Sequence, residues 1–176
     1  AAVVKVLATL AVGGGAAFFV LTMPSEVPRE ALTPRTANPA NGATMFYIGG
    51  CASCHATPNQ KEPTRLGGGR ALKTTFGTFK APNISPDPTH GIGAWSEHAF
   101  VNAMLRGVGR NGEHLYPAFP YTSYQRMTLD DVRDLFAFLK TVPAEATPSS
   151  PHELRLPYNI RRGLGLWKLL YADGKT

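Results

Sequence analysis

Cysteine is nearly absent from this chain, with two residues in 176, Cys51 and Cys54. That scarcity excludes a disulfide-built scaffold and leaves a four-thiolate zinc site without its second pair. Charge is also sparse, at 17% Asp, Glu, Lys and Arg, and the net +6 is not gathered into one patch. No basic-aromatic interleaving suggests nucleic acid, so the excess reads as solubility with a weak bias toward acidic partners. No internal repeat is visible.

The two cysteines stand in the run Cys51-Ala-Ser-Cys54-His55. Two thiols three positions apart can add to the two vinyl groups of one haem, and the histidine that follows reaches the iron from the proximal side. The competing uses of such a pair are a redox dithiol, half of a zinc site and a disulfide. His90, His98, His114 and His152 show no paired spacing that would complete a zinc site. A thioredoxin-like dithiol would want a βαβ pattern, whereas the surroundings are helical and rich in Gly and Pro. The expectation is one covalently held haem c, with His55 as an iron ligand.

The N-terminus is uncharged over residues 6–23, between Lys5 and Pro24. A signal-peptide h-region and a membrane-spanning anchor both fit such a stretch. Its length and the lack of a clear Ala-x-Ala site before Pro24 favour the anchor, residues 1–23, and Lys5 keeps the N-terminus cytoplasmic with the rest exported. Residues 24–40, with four prolines, read as an extended linker. From Asn41 a helical pattern runs into the attachment run. Residues 56–95 form a long Gly/Pro-rich loop, a length that calls for an object to wrap. Ser96-Glu97 opens another helix with Phe100, Val101, Met104 and Leu105 apolar, ending near Gly107. Thr128 and Asp131 resemble a capping box opening the clearest helix, with Val132, Leu135, Phe136 and Leu139 on one face. Phe46 and Phe136 are expected where the first and last of these helices cross. Residues 143–157 read as a second linker, and residues 157–176 as an apolar segment punctuated by Arg161, Arg162 and Lys168.

The order of these helices, with the attachment run at the end of the first, resembles a class I cytochrome c domain over residues 41–142. The stretches Leu66-Gly-Gly-Gly-Arg-Ala-Leu72, Thr75-Phe-Gly-Thr-Phe-Lys-Ala-Pro-Asn-Ile-Ser85, His90-Gly-Ile-Gly-Ala-Trp-Ser96 and Leu115-Tyr-Pro-Ala-Phe-Pro-Tyr-Thr-Ser-Tyr124 carry a narrower likeness. They are similar to the cytochrome subunits of membrane-bound bacterial alcohol, aldehyde, gluconate and fructose dehydrogenases. Those subunits typically hold three such domains; this chain resembles the first, and residues 156–171 resemble the connector to a second. The resemblance implies an all-α fold with long haem-wrapping loops, plus the N-terminal transmembrane helix and a short C-terminal helical extension. It also implies a haem domain on the periplasmic side of the bacterial inner membrane, where covalent attachment takes place.

The resemblance implies further site residues. The acceptor for the proximal histidine is a loop proline's carbonyl, and Pro82 matches that place, although it also fits a plain turn residue; Ile84 would pack on the haem face. Relatives often show Pro-Ala-Met where this chain has Pro117-Ala118-Phe119, and Phe119 cannot ligate. Met127, directly before the capped last helix, is the expected sixth ligand, against Met45, Met104 or a histidine; a thioether favours Fe(II) and raises the potential. Trp95, Arg70 and Tyr121 have donors suited to the haem propionates, and Trp95 equally fits a core aromatic. The expected function is single-electron transfer from a dehydrogenase to quinone, another cytochrome or an oxidase, without catalysis of its own. A catalytic haem with peroxidase-like or sulfur-oxidising chemistry is the alternative. A third possibility is mainly an assembly subunit, because the apolar end of the chain would pack on a dehydrogenase subunit or lie at the membrane surface.

Overall fold

The computed structural model describes residues 1–172. Its first element, α1 (Ala2–Leu21), is 20 residues of almost entirely apolar sequence with no buried residue. At 1.5 Å per residue it is about 30 Å long, the thickness of a bilayer's hydrocarbon core. It is long and apolar enough to cross a membrane.

The part of the chain after α1 is built around three main helices with strong start signals. In α2 (Pro39–Ile48), the Asn38 side chain accepts from the N–H groups of Ala40 and Asn41, and proline occupies the first helical position, where a missing N–H does no harm. In α4 (Glu97–Arg106), Ser96 accepts from the N–H of Ala99, and Gly107 ends the helix at φ +59°. In α6 (Leu129–Leu139), Thr128 Oγ1 accepts from the N–H of Asp131 at 3.1 Å and donates to the Asp131 carboxylate at 2.7 Å. The N-cap half of the expected capping box is therefore present, and the Asp131 carboxylate bonds the Thr128 hydroxyl in place of the backbone N–H that a full box would use.

Helices α2 and α6 cross at Gly42, where a Cβ atom would lie 2.0 Å from the Asp134 carbonyl oxygen. The glycine is what lets two backbones touch. The aromatic pair at this crossing is Phe46 with Phe138, at 5.4 Å between centroids. Phe136, expected there, stacks instead on Phe100 of α4 at 4.8 Å. Helical geometry explains the change: positions 136 and 138 point about 200° apart, so they meet different neighbours. All four rings join Leu66, Val101, Met104, Val132, Leu135 and Leu139 in or against one core.

The all-α expectation needs correction. A small antiparallel sheet, β1 (Ala71–Thr74), β2 (Gly77–Lys80) and β3 (Glu153–Leu154), lies in order β1-β2-β3. Gly77 sits at φ +128° and its missing side chain lets the Glu153 carbonyl approach, since a Cβ would stand 2.2 Å from that oxygen.

Both stretches expected as linkers are tied down. In the first, Val27 is buried; its N–H donates to Asn102 Oδ1 at 2.7 Å and its carbonyl accepts from His98 Nε2 at 2.8 Å. Arg35 reaches the buried Asp134 carboxylate at 2.7 Å, and that carboxylate also accepts from the Asn38 N–H and from Asn41 Nδ2. In the second, the backbone oxygens of Glu145 and Thr147 accept from Asn83 Nδ2. The chain ends its described part in a 3₁₀ turn (Arg161–Gly163) and α7 (Leu164–Tyr171).

Candidate haem-attachment site

A short helix, α3 (Cys51–His55), follows α2 after Gly49 and Gly50. Gly50 adopts φ +66°, the left-handed value that turns the chain from one helix into the next; any side chain would be strained there. Three positions of helix bring Cys51 and Cys54 to one face. Both are free thiols and half-buried. Burial pushes the Cys51 thiol up to about 11, so it is held protonated near neutral pH.

His55 Nδ1 donates to the Pro82 carbonyl at 2.8 Å. This is the predicted acceptor, and the bond leaves Nε2 as the nitrogen with a free lone pair. Burial pushes the imidazole below its ordinary value, and the bond to Pro82 pulls it partly back. A neutral imidazole is the form that binds a metal.

The loop behind Pro82 is fixed by its own network. The Ser85 N–H donates to Asn83 Oδ1 at 2.8 Å, the Glu145 N–H to Ser85 Oγ at 2.9 Å, and the Asn83 N–H to Ser149 Oγ at 3.0 Å. Arg65 Nε donates to the Glu145 carboxylate at 2.6 Å. Gly68, at φ +72°, presses against Pro82, whose carbonyl carbon and oxygen lie 2.5 Å from where a Cβ would be. Its N–H donates to the His55 carbonyl at 2.9 Å. The glycine run 67–69 thus locks the histidine and the proline to the same piece of backbone.

In front of α3 opens a cavity of about 1150 Å³. Cys51, Cys54 and His55 lie on its wall, and Ile84, Trp95, Phe79, Phe100, Leu135 and Tyr124 supply apolar surface. The Tyr124 phenol donates to the Gly49 carbonyl at 2.8 Å, and burial pushes its pKa up to about 12. Thiols, a neutral imidazole with a free nitrogen and a large apolar chamber suit a covalently attached haem.

Not every expected residue reaches this chamber. Pro82, Ile84 and Trp95 are on its wall; Arg70, Tyr121 and Met127 are not. The Arg70 guanidinium donates instead to the carbonyl of Ser53, within the attachment run. Tyr121 is 1% exposed, with its hydroxyl unpartnered, packed edge-on to Trp167. Met127 packs against the core, and its N–H donates to the Tyr124 carbonyl at 2.8 Å. Met104 is on the wall, as is Phe119.

Sequence reasoning missed the contribution of the C-terminal part. Residues 149–154, Asn159 and Arg161 all line the cavity. Arg161 lies over the Tyr116 ring at 4.7 Å and donates to the His114 carbonyl at 3.0 Å. It brings a fixed cation to a wall that is otherwise mostly apolar, where a propionate would find a partner. The proximity of Arg161 to Tyr116 is purely tertiary, so no periodicity in the chain announces it.

Comparison with known proteins agrees with this geometry. Residues 39–143 match the family model described as Cytochrome c. The chain is 46% identical over 158 residues to a diheme cytochrome c-type protein of Cereibacter sphaeroides, covering 89% of this chain and 53% of that one. It is 37% identical to the fructose dehydrogenase cytochrome subunit of Gluconobacter japonicus, covering 78% and 29%. It is 35% identical to the cytochrome c subunit of the quinone-dependent alcohol dehydrogenase of Gluconacetobacter polyoxogenes, covering 74% and 28%. The chain therefore spans about half or less of the length of these curated relatives. With the attachment run, the Pro82-held histidine and the matched stretch in agreement, the chain belongs to the cytochrome c family.

Proposed function

We propose that this chain is a membrane-anchored electron carrier, taking single electrons from a dehydrogenase partner and passing them toward quinone, a further cytochrome or an oxidase. The observation that carries it is the chamber in front of α3, with two thiols at its wall and His55 fixed by Pro82. A haem bound there supplies reversible one-electron chemistry. Cys51 and Cys54 would hold it, His55 would ligate through Nε2, and Ile84 and Trp95 would keep water from it. One attachment run means one haem for this chain, while the diheme relative extends beyond the matched part. The names of the relatives support a dehydrogenase as donor. The length of α1 supports an anchor, with the haem domain on the periplasmic side of the inner membrane.

A methionine thioether would complete the ligand set of the iron. Met127 is the sequence candidate and Met104 is the methionine on the cavity wall. The test is spectroscopic: the reduced protein keeps a low-spin ferrous spectrum under carbon monoxide, and substrate oxidation by the co-purifying dehydrogenase reduces it. Ready carbon monoxide binding together with peroxide turnover would establish a catalytic haem instead.

A further inference from the structure

The end of α1 is bolted to the C-terminal part of the chain. Thr22, the residue after α1, is fully buried, and its carbonyl accepts from His114 Nε2 at 2.8 Å. Arg162 Nε donates to Thr22 Oγ1, and its other arm to the Phe19 carbonyl, both at 2.8 Å. The same guanidinium lies over the Phe19 ring at 4.3 Å. Gly165, at the start of α7, touches the Thr22 backbone so closely that a Cβ would stand 2.6 Å from its Cα. α7 therefore begins at the level where α1 ends.

Two further observations say what covers α7. Its only charged residue, Lys168, points inward: Nζ donates to the carbonyls of Arg106 at 2.9 Å and Gly107 at 2.6 Å, and lies over the Tyr121 ring. The outer face that remains, Leu166, Leu169 and Leu170 at i, i+3 and i+4, is exposed and uncharged, with Leu169 at 63% and Leu170 at 77%. The last turn of α1, Phe18, Phe19, Val20 and Leu21, is exposed as well, and the contact of Gly165 with Thr22 brings the two elements together. Because α1 matches the hydrocarbon thickness, its end at Thr22 marks the boundary with the headgroups. Trp167 and Tyr171, 5.3 Å apart, are the aromatic types that favour that boundary.

We propose that α7 is an interfacial helix lying on the membrane that α1 crosses, with Leu166, Leu169 and Leu170 seated in lipid, so that the haem domain is held at a fixed height and tilt. This rests on α1 being a membrane span. One phase then covers both surfaces, and eight residues of α7 add an in-plane contact to the vertical one.

The test uses the haem-loaded chain in phosphatidylethanolamine–phosphatidylglycerol vesicles, with a nitroxide label on Leu170→Cys, Val12→Cys or the exposed Lys61→Cys. Accessibility to oxygen and to a water-soluble nickel chelate is read by electron paramagnetic resonance. The expected result is oxygen accessibility at position 170 enriched several-fold over position 61 and approaching that at position 12. If position 12 is in lipid while position 170 stays open to the chelate, the interfacial helix is refuted and the anchor stands. If position 12 is itself open to the chelate, the anchor fails. If position 170 is shielded from both reagents only when a dehydrogenase subunit is added, the face belongs to a protein partner and the proposal is overturned.

Discussion

Replacing Gly42 by alanine sets a methyl group against the backbone of the last helix. The new Cβ would lie 2.0 Å from the Asp134 oxygen, 2.6 Å from its carbonyl carbon and 2.8 Å from Phe138 Cβ. Ordinary carbon–carbon contact needs about 3.5–4.0 Å, so α2 and α6 must part by about an ångström or more. Overpacking of this kind costs about 1–3 kcal/mol. The same movement stretches the bonds from the Asn38 N–H and Asn41 Nδ2 to the buried Asp134 carboxylate, each worth about 1.5–3 kcal/mol when one partner is charged. The better helix propensity of alanine returns about 1 kcal/mol. The net loss is about 3 kcal/mol, which for a domain of roughly 100 residues lowers Tm by about 12 °C or more. Thermal melting of the haem-loaded protein, followed by circular dichroism, measures it. Gly163→Ala is the control, because nothing lies within 4 Å of its Cβ and its backbone is helical. A Gly42→Ala melt as close to wild type as that of the control would refute the close crossing.

Three other variants address the iron and the anchor. Met104→Leu and Met127→Leu separate the ligand candidates: the one that supplies the thioether loses the low-spin ferrous spectrum and gains carbon monoxide binding, and the other keeps both properties of the wild type. His114 is buried and neutral, with its pKa lowered first by burial and further by Lys168, Arg162 and Arg161, against the raising effect of its bond to Thr22. A histidine with a depressed folded pKa gives up stability as pH falls below its unfolded value of about 6.5. Protease nicking between α1 and α2 is therefore expected to rise between about pH 7 and about pH 5, and His114→Gln, which keeps a donor for Thr22, flattens that rise. An unchanged pH profile in the variant would show that His114 is not the titrating group.

What was legible in the sequence was local. The Cys51–His55 run, the Ser96 and Thr128 caps and the Pro82 acceptor each depend on a few neighbouring residues or on a family spacing, and the cap bonds and the bond from His55 to the Pro82 carbonyl are formed in the structure. The sheet was not legible, because its strands have four, four and two residues and β3 comes from more than seventy positions downstream. Such pieces show no period long enough to read. Tyr121 was read as a propionate donor from its chemistry, but the space beneath Gly107 and beside Trp167 claims its ring. Prolines in 24–40 and 143–157 signalled extended chain, though the first stretch holds a 3₁₀ turn (Arg29–Ala31) and the start of α2; prolines do not tell a free tether from a strap, and here Val27, Arg35 and Glu145 make both stretches straps.

The bond from His55 ends on a peptide oxygen, not on a side chain. No single substitution can delete that acceptor; it can only be displaced by disturbing Gly68, Asn83 or the strand of contacts behind them. For a haem seated in the chamber, the side that His55 faces would thus be insulated against point mutation. Its potential would be open to adjustment from the other walls, Arg161 among them, where one residue can be exchanged without touching the loop that carries the histidine's partner.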